Sequence, residues 1–349
     1  MAFKKYSIWM LLMGFVFITF YSFSSDCIAK EKQTSITLLG SPIGSDGMAF
    51  SFATADLINK TVPWIECSAV ETMGNVGNIK SMLDFAPDRK KGHIFVSADL
   101  VLNLALNGKG PFKKTGPITG WKVLFTHYNA ASHAMTLDPN IRSPKDLIGK
   151  RIGMPPKGHG LTRVALWIFD KCWGIKDKVK FMYMPMPMLK DVLIDGTIDA
   201  VACGGMYFSP EDGIKVSPFN EAILASRKDA RAIGVSREEY ENARSKDPRA
   251  PLTWGPIKAN SLRPGYPDKD TGTVNIAVTV AAWENMDNKI AYEIVKVIGE
   301  NNEKYKDYFA KGKAMRLKTL TSNAWSEKRY HPGALKYFRE IGLGMPGTL

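Results

Sequence analysis

The sequence is poor in the side chains that usually carry chemistry. It has five His and four Cys in 349 residues. His93, His127, His133 and His159 fall on separate stretches. A His-Glu zinc motif, a phosphate-binding Walker loop, a serine elbow and a convincing carboxylate pair are all missing. These absences argue against an enzyme and leave no residues for a resident metal or cofactor, so none is expected. Cys27 lies in the N-terminal leader, and Cys67, Cys172 and Cys203 remain. An odd, widely spaced set makes neither a disulfide framework nor a zinc site. Each sits in or beside an apolar segment, so core packing is expected, with one disulfide left open in an oxidising compartment. After the first 20 residues no apolar run is long enough to cross a bilayer.

Acidic side chains are also in deficit, 34 against 47 Lys and Arg, for a net charge of +13. The cations are scattered, with the densest groups at 89–91 and 176–180. Without a basic-aromatic stripe this reads as a solvated surface, and no nucleic-acid partner is expected. The N-terminus does carry a pattern. Lys4 and Lys5 precede an apolar run over 8–20, and Cys27-Ile28-Ala29 offers small residues at a cleavage site. That is the layout of a secretory signal over 1–29, with an uncleaved anchor as its rival. Export to the periplasm and a mature chain starting near Lys30 are expected.

With 45% hydrophobic and 23% charged residues, the rest has the balance of a globular protein large enough for two lobes. Its grammar is strand, polar loop, helix, repeated. The loops Gly44-Ser45-Asp46-Gly47, Thr72 to Asn78 and Ser97-Ala98-Asp99 each follow an apolar strand and open a periodic apolar segment. Recurrence of this unit predicts an open α/β sheet with a cleft at the strand C-termini. The second half repeats it through Lys157-Gly158-His159-Gly160 and a helix over 161–173, then a strand over 198–202 that stops at Gly204-Gly205. Strands over 121–128 and 132–137, broken at Asn129-Ala130-Ala131, form a first crossing between lobes. A strand over 273–281 forms the return. The stretch 209–256 is polar and hard to read, apart from a surface helix around Glu238 and Tyr240. Lobe boundaries follow at 30–130, 131–255 and 256–349.

The motifs now have company. Thr72-x-Gly74-x-Val76-x-Asn78-Ile79 is followed by Asn107-Gly108-Lys109-Gly110-Pro111-Phe112 and Ser143-Pro144-Lys145-Asp146-Leu147-x-Gly149-Lys150-Arg151. Then come Leu193-x-Asp195-Gly196-x-Ile198-Asp199-Ala200 and His331-Pro332-Gly333-Ala334-Leu335-Lys336-Tyr337. In this order, over 34–342, the chain resembles the TAXI-type extracytoplasmic solute receptors of TRAP transporters. The resemblance implies a two-lobed periplasmic binding protein, type II-like, with crossing strands and a central ligand cleft. It implies a membrane permease as partner, often with fused subunits. It also implies a small organic acid as ligand, glutamate or 2-oxoglutarate among them. The pocket loops depart from the family's habit: the usual Thr-Gly-Gly-Ser turn reads Thr72-Met73-Gly74-Asn75 here. A receptor lobe serving an ATP-driven importer or a sensor kinase is the rival reading, with the same fold.

For an anion in such a cleft, backbone amides at Gly74-Asn75 and Gly158-His159-Gly160 sit near helix starts and can donate. Ser45, Asn75, Ser97 and Thr162 supply neutral partners. Arg163 offers a bidentate grip on an acid group or, alternatively, a solvated first-turn position. Asp46 is either an acceptor for a ligand donor or a helix cap. His159 is a candidate neutral donor. Gly205 and Tyr207 are candidates for closing from the second lobe. Met73, with Phe50 and Met206, is a candidate for setting pocket width.

Overall fold

The structure, a computed structural model, describes residues 33–209 and 213–349. The expected signal peptide lies outside them. The chain opens with β1 (Thr34–Leu39), α1 (Asp46–Thr61), β2 (Ile65–Val70), α2 (Asn75–Asp84) and a short α3 (Pro87–Lys91). Then follow β3 (His93–Ala98), α4 (Asp99–Leu106) and the long β4 (Trp121–Thr136). A second series runs β5 (Arg151–Met154), α5 (Gly160–Trp167), β6 (Lys180–Tyr183), α6 (Met186–Ile194) and β7 (Ala200–Ser209). Next are β8 (Gly213–Val216), α7 (Pro218–Ser226), β9 (Arg231–Ile233), α8 (Arg237–Lys246) and β10 (Thr253–Ile257). β11 (Thr271–Trp283), α9 (Asn288–Glu300) and α10 (Pro332–Glu340) complete the chain.

The strands form one mixed sheet in the order β2-β1-β3-β11-β4-β7-β5-β6. β1 pairs in parallel with β2 and β3, and β5 with β6 and β7. Between these two parallel blocks run β11 and β4, antiparallel to each other and to their outer neighbours β3 and β7. At 16 residues, β4 is roughly 50 Å long at the usual strand rise, so it reaches both blocks. The strand break expected at Asn129-Ala130-Ala131 does not occur. All three residues are paired on both sides, Asn129 with Ala277 and Tyr207, Ala131 with Asn275 and Gly205. A two-sided ladder outweighs the poor strand propensity of Asn and Ala.

β7 likewise runs through Gly204-Gly205 instead of stopping there. A side chain on Gly204 would meet the Ala131 carbonyl at 2.9 Å, and one on Gly205 the Lys215 carbonyl at 2.4 Å. These glycines therefore mark close backbone approach within a sheet, not a chain end. The helix expected over 161–173 is α5 plus a π-turn at Ile168–Cys172. Among the described residues of 209–256, the stretch that was hard to read from sequence, lie β8, α7, β9, α8 and most of β10.

The second block has helices on both faces, as parallel sheets require. In the second block alternate residues divide the core. Met135 and Val201 pack with Leu189, Leu193 and Ile223. Ala134 and Ala202 pack on the other face with Ile152, Leu147 and Phe169. The first block shares a larger core with the C-terminal helices, including Phe50, Phe95, Ile294 and Phe338. His127 belongs to it. Its Nε2 lies 3.0 Å from the Thr54 hydroxyl, and burial pushes its pKa down to about 3. His133 is similarly buried, 3.0 Å from the Tyr266 hydroxyl. Cys67 and Cys172 are free thiols, pushed up to about 12 by burial.

Candidate functional site

Helix starts from both blocks converge at the middle of the sheet. At the start of α1, Ser45 is the cap: its Oγ accepts from Met48 N at 3.3 Å and donates to the Pro42 carbonyl at 2.6 Å. Asp46 is thus not the cap but the first helical residue. The start of α2 is a turn in which Gly74 has φ +94°, a region that favours glycine. No side chain caps it. The start of α5 is capped by His159, whose Nδ1 accepts from Leu161 N at 3.2 Å. That bond puts the ring proton on Nε2, and burial lowers the imidazole pKa to about 4. His159 is therefore a neutral N–H donor at ordinary pH.

The α2 and α5 starts touch. Val76 N donates to the Gly158 carbonyl at 3.1 Å. A side chain on Gly158 would lie 2.9 Å from the Met73 carbonyl, and one on Gly160 would lie 2.3 Å from Asn75 Oδ1. Only glycine lets the two blocks meet this closely. Beneath this contact lies a cavity of about 70 Å³. Its floor is the crossing strands, with Ala130, Ala131 and Ser132 of β4 and Ile276 and Val278 of β11. Its walls include Ser45, Asp46, Asn75, His159, Gly160 and Gly205, with Tyr128 and Ser217. Partial positive charge at the helix starts faces this space, which suits an anion.

Among the described residues, the acidic side chain on the wall is Asp46. Burial raises its carboxyl above the ordinary carboxylate range, and Lys311 at 3.8 Å draws part of that back. Tyr128, stacked on Phe50 at 4.8 Å between centroids, is kept firmly protonated by burial and by the Asp46 charge. The Ser217 hydroxyl is buried on the cavity wall without a partner among the described residues.

Of the sequence-derived candidates, Ser45, Asp46, Asn75, His159, Gly160 and Gly205 line this cavity. Gly74 and Gly158 form the contact that roofs it. Met73 stands 73% exposed outside. Ser97 is fully buried inside β3, and Thr162 spends its hydroxyl on the Pro155 and Pro156 carbonyls. Arg163 turns away: its Nη2 donates to the Lys157 carbonyl at 2.6 Å, and it lines a separate groove with Trp167 and Lys109. Tyr207 pairs through its backbone with Asn129 and Ile214. Sequence reading missed Ser41, Tyr128, Ser132, Met186 and Ser217. Ser41 and Ser217 each precede a helix start, a signal that was available. Tyr128 and Ser132 flank the break expected in the crossing strands, where nothing local marks a cavity floor.

Among the described residues no group of three or more metal-ligating side chains occurs, and no helix is long and apolar enough to cross a membrane. Solved structures share the fold. The periplasmic binding protein BugD aligns with a TM-score of 0.51 at 10% identity, over 89% of this chain and 98% of that one. A protein from Bordetella bronchiseptica RB50 aligns with a TM-score of 0.51 at 13% identity, over 90% and 91%. A structure described as a periplasmic transporter aligns with a TM-score of 0.50 at 12% identity, over 90% and 93%. The architecture is thus that of the two-lobed periplasmic binding proteins. The NMT1-like family model matches residues 50–342, and the chain belongs to that family.

Proposed function

We propose that this protein is an exported, periplasmic solute-binding receptor of a transporter, not an enzyme, and that it captures a small organic anion by hinge closure. The observation that carries the reading is the Val76 N to Gly158 O bond at 3.1 Å, which joins the two blocks directly over a cavity lined from both. A ligand favours a closed state only through contacts that state makes and the open one lacks. Here those contacts are the helix starts of α2 and α5, brought together across the crossing strands β4 and β11. The lobes divide at 30–130, 131–255 and 256–349, with the last segment completing the first lobe. The family motifs favour a TAXI-type receptor delivering to a TRAP permease, driven by an ion gradient.

Affinity near the micromolar range, about 8 kcal/mol, suits such a receptor. A few charge-assisted hydrogen bonds in a dry slot reach that. A thermal melting screen of the mature protein tests the core of this reading. Small organic anions should raise the melting temperature, and nucleotides and sugars should not; stabilisation by sugars alone overturns it. Reconstitution with the permease tests the finer part. Uptake should collapse with the ion gradient and survive without ATP, whereas ATP-dependent uptake replaces TRAP delivery with an ATP-driven importer.

A further inference from the structure

Arg163 leaves the cavity without the cation expected of it, and among the described residues no Lys or Arg lines the wall. One cation stands directly behind that wall. Lys311 comes from the C-terminal segment, and its Nζ is shielded from solvent with no hydrogen-bond partner among the described residues. Its nearest charged partner is Asp46 Oδ1 at 3.8 Å, too far for a good hydrogen bond. Glu221 contributes a more distant charge. An ammonium has three donors and no acceptor capacity, so leaving all three unmet in a dry site is costly. The four-carbon stem is flexible enough to swing the charge past Asp46 toward the cavity. Asp46 itself lies on the cavity wall and makes the bridge between the two.

We propose that Lys311 is the specificity-determining cation of this site, meeting the acid group of the ligand, and that the ligand is a compact monocarboxylate. This rests on the receptor reading above. The acid group takes the hydrogen bonds Lys311 lacks, beside the side chain of Asp46 at the start of α1. The body of the ligand meets Ala98, Ala130, Ala131, Val164, Ile276 and Val278, a small apolar floor. The Nε2–H of His159 serves one neutral oxygen. A second carboxylate, as in glutamate or 2-oxoglutarate, has no further cation to meet in about 70 Å³. Compact monocarboxylates should therefore outrank dicarboxylates.

Calorimetry with acetate, propionate, lactate and pyruvate, beside glutamate and 2-oxoglutarate, tests this on the mature protein. The amide of the tightest binder is the neutral control. In the wild type the acid should bind at least tenfold tighter than its amide. Lys311→Met should reduce that ratio to near one, Lys311→Arg should restore most of it, and Lys311→Gln provides a second neutral variant should the Met variant misfold. An unchanged acid-to-amide ratio in the neutral variants overturns the role of Lys311. Tighter binding of a dicarboxylate overturns the ligand class. In either case anion binding by the wild type keeps the receptor reading intact. Failure of every acid to bind the wild type overturns both.

Discussion

Asp46 and Asp99 occupy the same position in two copies of the same unit, the first turn of the helix after an inner strand. Asp99 is fully buried and Asp46 mostly buried, with 16% of its side chain exposed, and burial raises both carboxyls. Their surroundings differ. Asp99 accepts from the Thr279 hydroxyl at 2.7 Å and from Ala324 N at 3.0 Å, which ties α4 to β11 and to the C-terminal segment. Asp46 has a lysine at 3.8 Å and a cavity in front of it. A carboxyl raised by burial does not by itself separate a structural acid from a functional one. What separates them is whether the lone pairs are already used. Asp99 is a joint between packed elements, and Asp46 is a wall group with capacity to spare.

The largest expected effect breaks the joint. Asp99→Ala strands a buried hydroxyl and a part-buried N–H, and it should destabilise folding by about 2–4 kcal/mol, read by urea unfolding at pH 5. Binding of the anion should survive in the folded fraction. A loss below about 0.5 kcal/mol would mean that Asp99 is no joint between α4, β11 and the C-terminal segment.

Next in size is the pH dependence of that joint. Burial lifts Asp99 to about 6 from an ordinary 3.8. The folded state then holds a proton that the unfolded chain gives up. This contribution to stability is full below pH 3.8 and is lost as pH rises through about 6. It amounts to about 3 kcal/mol across that window. Asp99→Asn should flatten this part of the stability profile. An unaltered slope between those pH values would show that the carboxyl titrates normally.

A smaller effect probes the closure over Asp46. Gly160→Ala puts a methyl 2.3 Å from Asn75 Oδ1 and 2.9 Å from the Ala98 Cβ. Alanine favours the helix itself, so stability of each block should hold while ligand affinity falls by about tenfold, near 1.4 kcal/mol. Calorimetry at wild-type affinity would mean that the blocks close elsewhere. The smallest effect is expected for Arg163→Ala. Its guanidinium points into a separate groove, so affinity should change by less than about twofold, in contrast with the neutral variants at 311. A larger loss would return Arg163 to the cleft.

Much of the α/β order was legible because local signals and tertiary outcome agree there. The strands Thr34–Leu39 and His93–Ala98 stand out as short apolar runs followed by polar loops, and the helix Asn288–Glu300 follows a period of 3.6. His159 was legible beside a helix start for the same reason, whereas at the start of α1 the cap offered for Asp46 belongs to Ser45. The continuity of β4 was not legible. Asn129-Ala130-Ala131 is a poor strand by composition, and only its partners on either side make it one. Gly204-Gly205 misled in the same way, since a glycine pair reads as a stop until the neighbouring carbonyls are in view. Tyr128 and Ser132, on that strand, were lost with it.

Sequence alone determined the alternation of strand, polar loop and helix, the scarcity of catalytic side chains, and the presence of helix starts suited to an anion. These depend on residues near one another along the chain. Tertiary structure decided which helix starts meet, that Arg163 faces outward, and that a lysine some 265 positions from Asp46 comes to stand behind it at 3.8 Å (311 minus 46). Such encounters are set by how β4 and β11 bring distant segments together, and no local pattern of hydrophobicity or propensity encodes the distance between two charges so far apart in the chain.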